Sequence, residues 1–184
     1  TELYLTAKCG TPLAEIESAL AEKGQMLAFE PPSFSAATAG GCVAAGLSGP
    51  RRQQAGAVRD FVLGVKLVDG TGQLLDFGGQ VMKNVAGYDM TRLIAGSAGT
   101  LGLITRVTMK TATRPERCAA LSACGVPEAC SSLAAQVLGS SLGAVFAAAA
   151  PDDGGERWRL QVGFEGFGET VAAQLARAEA LFER

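Results

Sequence analysis

The segment from Ala37 to Arg52 reads ATAGGCVAAGLSGPRR, and it constrains the fold because almost none of its positions carries a side chain able to fill a core. Glycine loses more backbone freedom on ordering than any other residue. Gly40, Gly41, Gly46 and Gly49, with Ala36, Ala37, Ala39, Ala44 and Ala45, surrender packing area as well. Something must offset that loss, and on this run alone two readings stand open. One is a flat or phosphorylated ligand lying directly on main-chain N–H groups, from which Cβ atoms would hold it away. The other is a turn packed tightly against a neighbouring strand. Neither assigns a helix or strand to the run.

A second bare segment, GSAGTLGLIT, follows at Gly96 to Thr105. It has the wrong spacing for a dinucleotide fingerprint and leads into a strand pattern instead of a helix, and no GxxxxGK[ST] occurs anywhere. A Rossmann or P-loop site is therefore disfavoured. Two such segments, however, can line one cleft.

The rest of the chain excludes several classes of function. Net charge is -2 over 184 residues, with no basic cluster beyond Arg51 and Arg52, so the electrostatic footprint of a nucleic-acid binder is missing. The opening TELYLTAKCG has no signal-peptide pattern, and no apolar run is long enough to span a bilayer. Cys9, Cys42, Cys118, Cys124 and Cys130 form an odd set without CxxC, which fits a reducing cytoplasm; they read as small buried hydrophobes, not as metal ligands. With 0 histidines, the commonest general base is absent from this stretch.

Periodicity divides the chain near Arg114-Pro115. Before it, TELYLTAK alternates like a strand, Thr11 and Pro12 stand where an N-cap and first helical residue belong, and Leu13, Ile16 and Leu20 share a helical face that Gly24 would end. FVLGVKLVDGTGQLLDF reads as a hairpin around Asp69-Gly70-Thr71-Gly72, a short helix lies before the second glycine run, and LITRVTMK reads as a half-buried strand. Arg59 and Asp60 are placed to pair with each other. After the boundary the order is strand, helix, strand, strand, helix, most of a ferredoxin-like unit without its last strand.

Three blocks, TAGGCVAAGLSG, VRDFVLGVKLVDGTGQ and KNVAGYDMTRLIAGSAGTLGLIT, in this order and spacing resemble the FAD-binding domain of the vanillyl-alcohol oxidase and p-cresol methylhydroxylase superfamily, the FAD-linked oxidases. Within it, GPRR followed by AGAVRDFVLG, and VMKNVAGYD, look most like the E subunit of bacterial glycolate oxidases. The resemblance implies an α+β fold. Residues 1–112 would be the second subdomain of a PCMH-type FAD-binding domain, mainly antiparallel sheet with helices. Residues 113–184 would be part of a ferredoxin-like cap domain that meets substrate. The subdomain carrying the pyrophosphate loop is not found upstream of Thr1, so the chain is expected to be a fragment.

By the same resemblance, Thr38, Gly40, Gly41, Cys42 and Ala45 would lie along the flavin ring and ribityl chain, Gly46, Ser48 and Gly49 would continue toward the pyrophosphate, and Ile104 would meet the adenine end of a non-covalent FAD. Tyr88 and Asp89 are expected to be architectural, Lys83 and Asn84 to position the flavin edge or tie their loop to the sheet. The implied enzyme is an FAD-dependent oxidoreductase that takes a hydride from a small 2-hydroxy acid, glycolate to glyoxylate. It would act in a cytoplasmic complex with a second FAD-binding subunit and an iron-sulfur subunit, attached peripherally to the inner membrane. No catalytic residue is assigned; the base is expected elsewhere in the full protein or on a partner. The rival reading is a non-catalytic assembly subunit with a vestigial flavin cleft.

Overall fold

The computed structural model describes residues 3–32, 36–79, 88–152 and 154–182. Its contacts divide the chain into Thr1–Arg114 and Pro115–Arg184.

In the first unit, β1 (Tyr4–Lys8) leads to α1 (Leu13–Ala21) and a short β2 (Gln25–Met26). The helix begins one residue later than expected. Pro12, with φ −59 and ψ 139, is its N-cap and offers no side-chain acceptor. Pro12 instead lies beside Thr38 in an isolated antiparallel bridge, with Leu13 N donating to Ala37 O at 2.9 Å. Gly24 does adopt a left-handed conformation, φ 64, two residues past the C-cap Glu22.

The glycine-rich run forms α2 (Ala39–Ala45), followed by single turns α3 (Arg52–Ala55) and α4 (Val58–Phe61). Then come β3 (Val62–Val68), β4 (Leu74–Gly78), α5 (Met90–Ile94), β5 (Leu103–Lys110) and β6 (Ala112–Thr113). The main sheet is antiparallel, in the order β1-β5-β3-β4, and β2 pairs with β6. The β3–β4 hairpin closes where the turn residues predict: Asp69 Oδ1 accepts from Thr71 N, Thr71 Oγ1 and Gln73 N at 2.7 to 2.9 Å. Alternation sends Val65, Leu67, Val107 and Met109 into the core with Leu13, Ile16 and Leu20 of α1 and Val43 of α2. Phe29 is fully buried there, its ring 5.3 Å from that of Phe61.

The second unit runs β7 (Arg117–Gly125), α6 (Pro127–Leu138), β8 (Phe146–Pro151), β9 (Trp158–Gly166) and α7 (Gly168–Phe182). Its antiparallel sheet has the order β7-β9-β8. Leu160, Val162 and Phe164 of β9 meet Cys130 and Val137 of α6 and Val171 and Ala178 of α7 in a separate core. The fold class is thus α+β, with three antiparallel sheets among the described residues. Among the cysteines, Cys42 and Cys130 are buried, but Cys118 and Cys124 are exposed, because both fall on the solvent side of β7. All five cysteines are free thiols.

Candidate functional site

Thr38 positions the first glycine run. Extended at φ −116 and ψ 160, it caps α2 by accepting from Gly41 N through Oγ1 at 3.2 Å. The preceding two N–H groups also have partners in the chain: Ala39 N donates to Thr11 O at 3.0 Å and Gly40 N to Cys9 O at 2.9 Å. A ligand resting on α2 therefore meets carbon, not free N–H donors.

The other end of α2 is closed by the second run. Gly46 takes the left-handed conformation, φ 71, as C-cap. Gly96 N donates to Val43 O at 2.9 Å, and Ala98 N to Ala44 O at 2.7 Å. A Cβ on Gly46 would lie 3.0 Å from Gly96 Cα, so backbone touches backbone there. The carrier of the second run, α5, is held by Asp89, whose carboxylate accepts from Thr91 Oγ1 at 2.6 Å and Arg92 N at 3.3 Å. The Thr91 hydroxyl, and to a lesser degree the charge of Arg92, hold the Asp89 carboxyl below its ordinary pKa.

These constraints leave an open groove of about 330 Å³ between the runs. One wall is Cys9, Gly40, Gly41 and Ala44; the other is Gly99, Gly102, Leu103 and Ile104. Not every glycine serves the groove. A Cβ at Gly40 would run into Cys9, and one at Gly49 into the Glu30 carbonyl, so these are bare because the chain's own backbone approaches. A Cβ at Gly41 would meet only Thr38 Oγ1, at 3.2 Å, and one at Gly99 would meet nothing within 4 Å. Gly99 N has no hydrogen-bond partner among the described residues. Leu103 is 71% exposed at the rim. The groove thus offers a flat carbon floor, which fits the face of a planar heterocycle.

The expected residues separate accordingly. Gly40, Gly41 and Ile104 line the groove. Thr38 caps the helix that forms its wall. Cys42 turns into the core, its Sγ 3.6 Å from Leu47 O and its thiol pushed up to about 11 by burial. Ala45 is exposed and Gly46, Ser48 and Gly49 are half-buried, all four outside the groove lining. Ser48 Oγ accepts from Val58 N at 2.9 Å and so starts α4. Groove residues not singled out from sequence are Cys9, Ala44, Gly99, Gly102 and Leu103; the GSAGTLG text signalled two of them. Cys9, half-buried, is also pushed up to about 11 by desolvation, so neither thiol is a thiolate at neutral pH.

Other expectations resolve separately. Asp60 does not pair with Arg59: its carboxylate accepts from Ala57 N at 3.0 Å and lies 3.8 Å from Arg92. Tyr88 is 92% exposed, and its side chain supports no packing, whereas Asp89 has the architectural role. Arg51 is tied, through its N–H to Glu30 at 3.2 Å and through Nη1 to Met26 Sδ at 3.2 Å. Lys83 and Asn84 lie outside the described residues. Among the described residues there is no cluster of metal-ligating side chains, and no helix is long and apolar enough to cross a membrane.

Comparison with known proteins bears on this groove. Residues 1–78 match the FAD binding domain family. Glycolate oxidase subunit GlcE of Escherichia coli K12 is 58% identical over 116 residues, 62% of this chain and 33% of that protein. Glycolate oxidase subunit GlcD of Bacillus subtilis is 36% identical over 114 residues, 62% of this chain and 24% of that protein. The chain thus spans a third or less of the length of these relatives. An alkyldihydroxyacetonephosphate synthase structure superposes with a TM-score of 0.80 at 22% identity, covering 99% of this chain and 38% of that one, which speaks for the fold. Residues 1–78 of the first unit are thus similar to FAD binding domains, and over 62% of its length the chain is similar to subunits of glycolate oxidases.

Proposed function

We propose that this chain supplies one wall of the FAD site of a glycolate oxidase-type dehydrogenase. The observation that carries this reading is the groove itself: two segments far apart in sequence meet so that Gly41 and Gly99 both face open space. Gly40, Gly41 and Ala44 would support the flat face of the cofactor. Gly99 would offer its N–H to a polar atom of the cofactor, and Leu103 and Ile104 would keep water from its edge. Thr38, Cys42, Ala45, Gly46, Ser48 and Gly49 act by shaping α2 and its exit, and only in the full protein would they come near the cofactor.

When bound, FAD supplies the acceptance of a hydride from the α-carbon of a small 2-hydroxy acid, glycolate in the first instance. The chain's own part is placement and exclusion of water. Cys9, the one thiol in the groove lining, is protonated at neutral pH. It is poorly suited to serve as base or flavin attachment point, which supports a non-covalent cofactor. The base and the cation for the substrate carboxylate would come from the rest of the protein or from the second FAD-binding subunit, with an iron-sulfur subunit taking electrons onward. The complex would work in the cytoplasm, peripheral to the inner membrane. Residues 115–184 would form part of the cap over the substrate.

Titration of the purified chain with FAD, followed by flavin absorbance after gel filtration, tests the cofactor. Retained flavin that is lost on Gly41→Trp is expected; no retained flavin in either protein would remove the proposal. The assembly-subunit reading rests on the internally satisfied N–H groups of Ala39, Gly40 and Gly41. Full activity of the complex carrying Gly41→Trp would favour it.

A further inference from the structure

The main sheet of the first unit carries a row of charges unrelated to the groove. Register places Lys8 opposite Arg106, Arg106 opposite Lys66, and Lys66 opposite Asp76, so one line crosses all four strands as three cations and a carboxylate. Like charges directly opposite each other on adjacent strands destabilise a sheet. Asp76 relieves only Lys66, which it meets at 2.6 Å. Lys8 and Arg106 are exposed and have no acidic partner among the described residues. Lys110, on the same strand as Arg106, is turned to Asp60 O at 3.2 Å. The chain as a whole is acidic, with net charge -2, so this row is not the overflow of a basic surface.

Beside the row the sheet is hollow. Gly64 lies opposite both Thr108 and Gly78, and a Cβ on it would lie 3.1 Å from the backbone of Gly79, so this part of the sheet is bounded by main chain. The resulting hollow of about 350 Å³ is lined by Thr6, Lys66, Asp76, Arg106 and Thr108 with glycine backbone, and it shares no residue with the flavin groove. The Thr6 and Thr108 hydroxyls are 2.9 Å apart, so one of the pair keeps a proton to donate outward while the other is engaged. Lys66 and Arg106 line the hollow, while Lys8 stands outside its lining, opposite Arg106. With Asp76 taken by Lys66, Arg106 is the uncompensated charge in a concavity of small-molecule size and Lys8 a second one beside it.

We propose that this hollow is a binding site for a small dianionic oxyanion, a phosphate or a dicarboxylate, held by Arg106 and Lys8 with the Thr6–Thr108 hydroxyl pair. Arg106 supplies a planar fork suited to two oxygens of one anion. Lys8 adds charge at the edge strand, where it is free to close on the ligand. The anion removes the repulsion along the row, so binding and stability are coupled.

The test uses the full chain in low-salt buffer, titrated in separate arms with inorganic phosphate, malonate and, at matched ionic strength, sodium chloride. Calorimetry and thermal melting are read together. A response to phosphate or malonate beyond that to chloride supports the site and names its ligand class; a response no larger than chloride's in both arms overturns it. Arg106→Gln should bind the active dianion at least about tenfold more weakly, yet melt higher than wild type when no dianion is present, since the row loses its central cation. Unchanged affinity in Arg106→Gln, or a lower melting point without anion, would also overturn the proposal. Retention of FAD by the same sample is recorded separately, because this site stands or falls without it.

Discussion

The two units both place a glycine where a strand or helix would ordinarily carry a side chain, and they do so for opposite reasons. In the second unit, Gly163 of β9 lies opposite Phe146 of β8, and a Cβ there would fall inside the Phe146 ring. The vacancy is filled by the protein's own aromatic side chain, as when a cross-strand ring covers a glycine. In the first unit, a Cβ on Gly99 would meet nothing within 4 Å and one on Gly41 only Thr38 Oγ1, at 3.2 Å. A glycine whose room is taken reports packing; one that lines a groove and whose room is left open leaves space for a guest. Gly40 and Gly41, neighbours in one helix, fall on either side of that line.

Substitution at Gly163 should therefore have the largest effect. Gly163→Val is expected to cost more than about 3 kcal/mol, at the upper end of overpacking, read as loss of the near-UV signal of Trp158. The added change Phe146→Ala should recover part of it; no recovery would break the idea that the ring fills the space. Gly40→Ala should cost about 1–3 kcal/mol, because its Cβ meets Cys9 in a wall that cannot shift freely. Denaturant melts of this variant, alone and with Cys9→Gly, measure how much of that cost is the Cys9 contact.

Removing the cap on α5 comes next. Asp89→Ala should cost about 1 kcal/mol and loosen the loop that forms the second groove wall. The native pKa of Asp89 lies below its unfolded value, so its contribution to stability is present above about pH 4 and fades as pH falls through the native pKa. Wild type and Asp89→Asn should therefore converge in melting temperature at acid pH; a constant gap down to pH 2 would contradict the assignment.

Gly41→Ala should have the smallest effect on stability. Alanine gains up to about 1 kcal/mol over glycine within a helix, against a close approach to Thr38 Oγ1 at 3.2 Å. Its melting temperature should stay within a few degrees of wild type while FAD retention falls. Equal retention in Gly41→Ala and Gly41→Trp would remove the distinction between the two kinds of glycine.

Much of the architecture is legible from local pattern. The hairpin around Asp69 and the strand-helix-strand-strand-helix order after Pro115 follow from periods of two and 3.6 residues, which single segments display without any partner. Ala39–Ala45 is different. Alanine and glycine carry no hydrophobic period, so nothing in the text marks a helix, and only the Thr38 cap and the bridge to Pro12 define one. Cys42 shows the same limit. The resemblance sets it along the flavin while its residue type reads as buried; helical rotation turns it into the core and leaves Gly41 facing out.

By itself, then, the order of residues determined the strands, most helices and the positions where side chains had to be absent, because those properties depend on near neighbours and on the cost of glycine. It could not sort the glycines. Whether a missing Cβ admits Cys9, Glu30, Phe146 or a foreign molecule depends on which distant backbone arrives opposite, and that was decided only when α2 met the loop before β5. The same holds for Lys8, Arg106 and Lys66, which are unremarked single charges along the chain and become one line of like charge only through strand register.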